Sequence, residues 1–199
     1  MMNIDNLENS MATLLTHPGA AAQWQALVAE AESAAACPLG EELESYLVFL
    51  LMRFNRKPEM ADSVLALDYL RGMLAAGRIK HDRLRDVGDQ CLLYSGLFPQ
   101  QAARRRVRIG YFVDLGRSAY QELSARLAGG YADLYALLSQ DFVPMMDVLH
   151  AVRRLGGARL DPLPAYELWR DTGSRAALQA LRETTHGTSF TARDDDALH

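Results

Sequence analysis

The sequence predicts an all-α protein: a compact multi-helix bundle of roughly eight to ten helices with no sheet. Three observations carry this. Apolar residues recur at three- and four-residue spacing through most of the chain. The breaks between these stretches fall at proline and glycine, as at Pro18-Gly19, Pro38-Leu39-Gly40 and Gly129-Gly130. No segment alternates apolar and polar residues in the manner of a half-buried strand.

Taken in order, the first helix is expected over about 4–16, on the spacing of Leu7, Met11, Leu14 and Leu15. The second, about 20–36, is alanine-rich, with Trp24, Leu27 and Ala31 on one stripe, and alanine is the best helix former. The third, 41–55, opens on Glu41, Glu42 and Glu44, which suit the positive end of a helix dipole. Its run from Tyr46 to Met52 is apolar nearly all round, which predicts the central helix of the fold.

Lys57-Pro58 starts a fourth helix whose Met60, Val64, Leu67, Leu70 and Leu74 read as a core stripe, with Gly77 as its stop. A fifth, about 81–94, sets Leu84, Val87, Cys91 and Tyr94 on one face and Asp82, Arg85, Asp86 and Asp89 on another. Ser95 to Pro99 is a turn, and a short helix is expected over 100–106. The helix over 110–127 buries Phe112, Gly116, Ala119, Leu123 and Leu127. Glycine in mid-helix costs about 1 kcal/mol relative to alanine, so Gly116 predicts close approach of another helix. Over 131–155 Pro144 leaves two readings, one kinked helix or two helices with a fresh start capped by Asp141. Two short helices follow, about 165–170 and 174–183. The chain thus divides into one helical domain, 1–183, and a polar, aperiodic tail, 184–199. No period of 30–40 residues marks a solenoid.

Composition excludes several classes of function. The 199 residues are 49% hydrophobic and 23% charged, ordinary for a soluble globular protein, and the net charge of −4 offers no general attraction to nucleic acid or anionic lipid. The acidic N-terminus and the shortness of the longest apolar run argue against a signal peptide and a membrane helix. Cys37 and Cys91 stand far apart and outside any paired motif, which favours a reducing, cytoplasmic setting. No zinc spacing, phosphate loop, dinucleotide fingerprint or nucleophile elbow occurs, and no metal or cofactor is expected. Cys91 reads as core and Cys37, beside Pro38, as the more reactive thiol; Asp147 and His150 share a helix face, and a metal there would need further ligands from other helices, such as Glu42, Asp68 or His81.

The stretch from Asp89 to Tyr120 concentrates what remains. Arg104, Arg105, Arg106 and Arg108 read first as a solvated helix end, with anion or nucleic-acid binding as the alternative. Tyr94, Tyr111, Asp114, Arg117 and Tyr120 form the candidate ligand-binding set. Asp114 and Arg117 lie three apart and can pair, and Arg117 can reach Asp86 and Asp89 if it packs against the fifth helix. The expected function is non-enzymatic: a cytoplasmic regulator or adaptor acting through protein contact, as a homodimer or with a protein partner. A ligand-binding or enzymatic bundle with a pocket walled by those residues and Tyr46 is the second reading, and nucleic-acid binding through the arginines the third.

Overall fold

The computed structural model describes residues 19–56, 65–99 and 107–184. Among the described residues there are nine helices and no strand: α1 (Ala20–Ala35), α2 (Glu41–Arg56), α3 (Leu65–Leu74), α4 (Gly77–Gly96), α5 (Ile109–Ser124), α6 (Gly130–Gln140), α7 (Phe142–Leu155), α8 (Pro162–Thr172) and α9 (Arg175–Thr184). The all-α bundle expected from apolar spacing is thus the fold observed. The expected helices at 4–16 and 100–106, and the tail from residue 185, lie outside the described residues. No described helix is long and apolar enough to cross a membrane.

Local chemistry sets the ends. α1 stops where Ala36 turns left-handed (φ 49°, ψ 41°), and Glu32 then reaches forward, its Oε1 accepting from the Leu39 amide at 3.0 Å. Gly77, expected to end the fourth helix, instead opens α4 with φ +56°, a conformation that glycine adopts without strain; α3 has already ended at Leu74. Pro144 divides the chain into two helices, α6 and α7, meeting at Asp141. Asp141 contributes its carbonyl to the Met145 amide but no side-chain cap. The true side-chain cap is at α9, and it is assembled from two elements. Ser174 Oγ accepts from the Ala177 amide at 3.0 Å and donates to Asp147 Oδ1 at 2.5 Å, while Asp147 Oδ2 accepts from the Arg175 and Ala176 amides. A carboxylate of α7 thereby satisfies the free amides of a helix distant in sequence and fixes where α9 docks.

The centre of the molecule is α4 rather than α2. α3, α5 and α7 all pack on α4, and its residues from Val87 to Gly96 are buried without interruption. α2 packs on α1 and α6 and is apolar nearly all round in sequence, yet its Phe49 is 68% exposed. Of the stripe expected on the fourth helix, Met60 and Val64 lie outside the described residues and Leu67, Leu70 and Leu74 face outward; Tyr69 and Met73 are the described α3 side chains that touch the core. Two apolar faces share this helix, and periodicity alone does not say which one packs.

Close helix approach is made by glycine. A β-carbon on Gly116 would fall 2.5 Å from Phe142 Cε2 and 2.8 Å from Cys91 Cβ, and one on Gly88 would strike the Tyr120 ring. α5 and α4 therefore meet nearly backbone to backbone, the approach expected from Gly116. Gly116→Ala tests this by sign. On an exposed helix the change gains about 1 kcal/mol in propensity. Here Phe142 is fully buried and Cys91 Cβ is fixed to α4, so overpacking should win, with a net loss of roughly 1–3 kcal/mol in urea unfolding. A more stable variant would refute the seam; trimming the partner with Phe142→Leu should recover part of the loss.

Candidate functional site

Polar groups converge in one place in the core. Asp89 of α4 is almost fully buried, and three side chains meet its carboxylate. The Tyr46 hydroxyl of α2 donates to Oδ1 at 2.5 Å, the Tyr120 hydroxyl of α5 to the same oxygen at 2.7 Å, and the Arg53 guanidinium of α2 lies 2.9 Å from Oδ2. Arg53 also donates to Asp86 at 3.0 Å, where the network reaches the surface. The rings support the hydroxyls: Tyr46 meets Tyr120 edge to face, and Tyr120 packs on Tyr135 and Phe142. Burial pushes the Asp89 carboxyl up, and Arg53 and the two hydroxyls oppose it. Burial and the neighbouring Asp89 charge hold both phenols well above their ordinary range. With both oxygens occupied, Asp89 ties α2, α4 and α5 together.

The five residues of the candidate ligand set do not converge. Tyr94 and Tyr120 are buried, Tyr94 stacked on Phe112. Tyr111, Asp114 and Arg117 lie on the outward face of α5. Arg117 does not reach Asp86 or Asp89; it donates to the Ser139 carbonyl of α6 at 3.1 Å, and Ser139 Oγ donates back to the Arg117 carbonyl at 3.1 Å. Arg53 takes the place expected of Arg117. Of the arginine run, Arg104, Arg105 and Arg106 lie outside the described residues; Arg108 is exposed in the extended residue preceding α5.

The Cys37 thiol contacts the Pro144 carbonyl at 3.8 Å, and burial and the Asp147 charge push it up, the opposite of an activated nucleophile. Cys91 is core, its thiol raised by burial. Asp147, the expected partner of His150, has both oxygens engaged in capping α9. Among the described residues no three His, Cys, Asp or Glu side chains are close enough to share a metal ion.

An open groove of about 720 Å³ lies between the first half of α2 and the start of α6. Phe49 and Tyr131 stand at its mouth, 68% and 72% exposed, Tyr46 and Leu134 line it more deeply, and Glu41 and Glu42 form an acidic end. The helix phase of α2 sets this arrangement: Glu42, Tyr46 and Phe49 recur at four and three residues and so share a face. No protein-family model, curated protein or solved structure matches this chain. The groove therefore has to be interpreted from its own chemistry. It presents aromatic faces, carboxylates and the hydroxyls of Ser45 and Tyr131, while the Tyr46 hydroxyl is committed to Asp89. Exposed aromatic rings beside carboxylates suit contact with a cationic or apolar group.

Sequence reasoning included Tyr46 in its pocket but missed Arg53, Phe49 and Tyr131. Arg53 carried a usable signal. It lies seven residues after Tyr46, hence on the same helix face, and that face opposes the acid-rich face of α4. Phe49 carried none, because its neighbours on both sides are equally apolar.

Proposed function

We propose that this chain is a non-enzymatic cytoplasmic contact protein, a regulator or adaptor, whose α2–α6 groove receives a partner segment carrying a basic side chain flanked by apolar ones. The exposure of Phe49 and Tyr131 beside Glu41 and Glu42 carries this reading. Large aromatics left in water at a concave surface favour association, and aromatic anchors dominate binding energy at protein interfaces. A guanidinium or ammonium over such a ring gains roughly 0.5–2 kcal/mol, and Glu41 and Glu42 supply the complementary charge. The two unpaired cysteines support the cytoplasmic setting.

The test uses fluorescent peptides with one arginine or lysine between leucines, against matched peptides carrying glutamate. The basic peptides should bind more tightly, less so at high salt. Phe49→Ser and Tyr131→Ser should each weaken binding by roughly tenfold or more, while shifting stability by no more than about 0.5 kcal/mol, as surface changes do. Equal affinity for the acidic peptides, or full affinity in both variants, would defeat the proposal. Light scattering on the peptide-free protein separates the remaining occupant: a dimer that Phe49→Ser dissolves would assign the groove to a second copy of the chain instead.

A further inference from the structure

A second, smaller cavity of about 260 Å³ lies between α7, the loop over 156–161 and α9. Its inner wall is cationic. Arg153 is 5% exposed, and its one partner among the described residues is the Arg159 carbonyl, which accepts at 3.2 Å. No carboxylate lies within ion-pair reach of it among the described residues; Asp161 acts on it only at longer range. Next to it His150 is buried, with Nε2 meeting no hydrogen-bond partner among the described residues. A buried guanidinium answered by a single carbonyl, beside an orphaned imidazole nitrogen, is costly unless something enters to meet them.

We propose that this cavity binds a small organic monocarboxylate, its carboxylate received by Arg153 and His150 and its apolar body lying against Ala176 and Ala180 of α9. The charge balance selects a monoanion. Arg153, Arg154 and Arg159 face Asp161 and Glu183 around the cavity, which leaves one positive charge in excess. Arg154 is already engaged, with the Ala34 carbonyl at 2.8 Å and Glu183 at 3.9 Å, and Arg159 is exposed, so Arg153 is the buried guanidinium left to receive an anion. Guanidinium and carboxylate match as a two-pronged pair, and His150, uncharged, can donate from Nε2 to a carboxylate oxygen. The volume is below that of a typical drug-sized site, which limits the body to a few carbons or one ring.

The experiment is calorimetric titration of the full chain with sodium butyrate and sodium benzoate, with butyramide and inorganic phosphate as controls, and with the His150 ring followed by nuclear magnetic resonance. Saturable carboxylate binding that shifts the His150 resonances is expected, with butyramide inert and phosphate weaker. Arg153→Met should weaken binding by roughly tenfold or more. Ala180→Leu fills the cavity without touching a charge and should do the same, so a failure of Arg153→Met to fold leaves the test intact. The proposal is overturned if neither carboxylate binds saturably, if butyramide binds as well, if phosphate binds more tightly, or if Ala180→Leu retains full affinity. It is independent of the α2–α6 groove, and Phe49→Ser should leave carboxylate binding unchanged.

Discussion

Asp89→Ala lowers the free energy of unfolding by roughly 3–5 kcal/mol, the loss expected when one partner of a buried ionic network is removed and the others remain. Arg53 loses its innermost carboxylate, and the Tyr46 and Tyr120 hydroxyls lose their acceptor at once. In a chain of this size that is a fall in Tm of about 6–20 °C. Asp89→Asn should cost less, because an amide oxygen still accepts one hydroxyl. Tyr46→Phe and Tyr120→Phe should each cost about 1 kcal/mol, since each removes a donor without leaving a charge unpaired. Burial pushes the Asp89 carboxyl up against the pull of Arg53 and both hydroxyls, and a buried ionic network is often no more stabilising than well-packed apolar groups of similar volume. Replacing all four groups together, as Asp89→Leu, Arg53→Met, Tyr46→Phe and Tyr120→Phe, should then recover most of what Asp89→Ala loses. Urea unfolding of the set checks this. A single Asp89→Ala within about 1 kcal/mol of the parent would sink the account, as would a fourfold variant no better than the single one.

What the sequence disclosed follows from where information is local. Helix existence is local: the spacing of Trp24 and Ala31, or of Leu84, Val87 and Cys91, marks a face whatever lies opposite, and those faces are the buried ones. Gly116 was legible because its helix-propensity cost demands a compensating contact, and Phe142 and Cys91 supply it. Which of two apolar faces packs is not local. Leu67, Leu70 and Leu74 satisfy the core pattern as well as Tyr69 and Met73 do, and only the direction from which α4 approaches decides between them. The same holds for polar partners. Asp89 was visible on the acidic face of its helix, but choosing Arg53 over Arg117 requires knowing that α2, and not the outer face of α5, closes over that face. Asp147 shows the limit most clearly: three residues from His150 it suggests a ligand pair, yet its partners Ser174 and Arg175 lie on the far side of two chain reversals.

His150 makes the protein acid-sensitive in a way a single substitution removes. Burial, reinforced by the charge of Arg153, pushes the imidazole down to about 3, against an ordinary value of 6.5. The folded state therefore keeps His150 neutral over a range in which the unfolded chain takes up a proton. A group depressed in this way contributes stability that is fully present above the unfolded value and is lost as pH falls from 6.5 toward about 3. The slope is about 1.4 kcal/mol per pH unit, so several kcal/mol are at stake. Glu32, Asp89 and Asp147 have raised carboxyls and act with the opposite sign: their contribution is present below the unfolded value and is lost as pH rises through the folded one. The comparison that isolates the imidazole is thus between the parent and His150→Leu, each unfolded in urea across the window from neutral to mildly acidic pH. The parent should lose stability more steeply on acidification, and His150→Leu should flatten that part of the profile. Parallel profiles would mean that the unfolded and folded states protonate His150 alike, and the buried, unpartnered imidazole would be ruled out. The same titration bears on the cavity that His150 lines. A carboxylate beside the ring favours the imidazolium, so saturating butyrate should flatten the parent profile too, while leaving that of His150→Leu as it was.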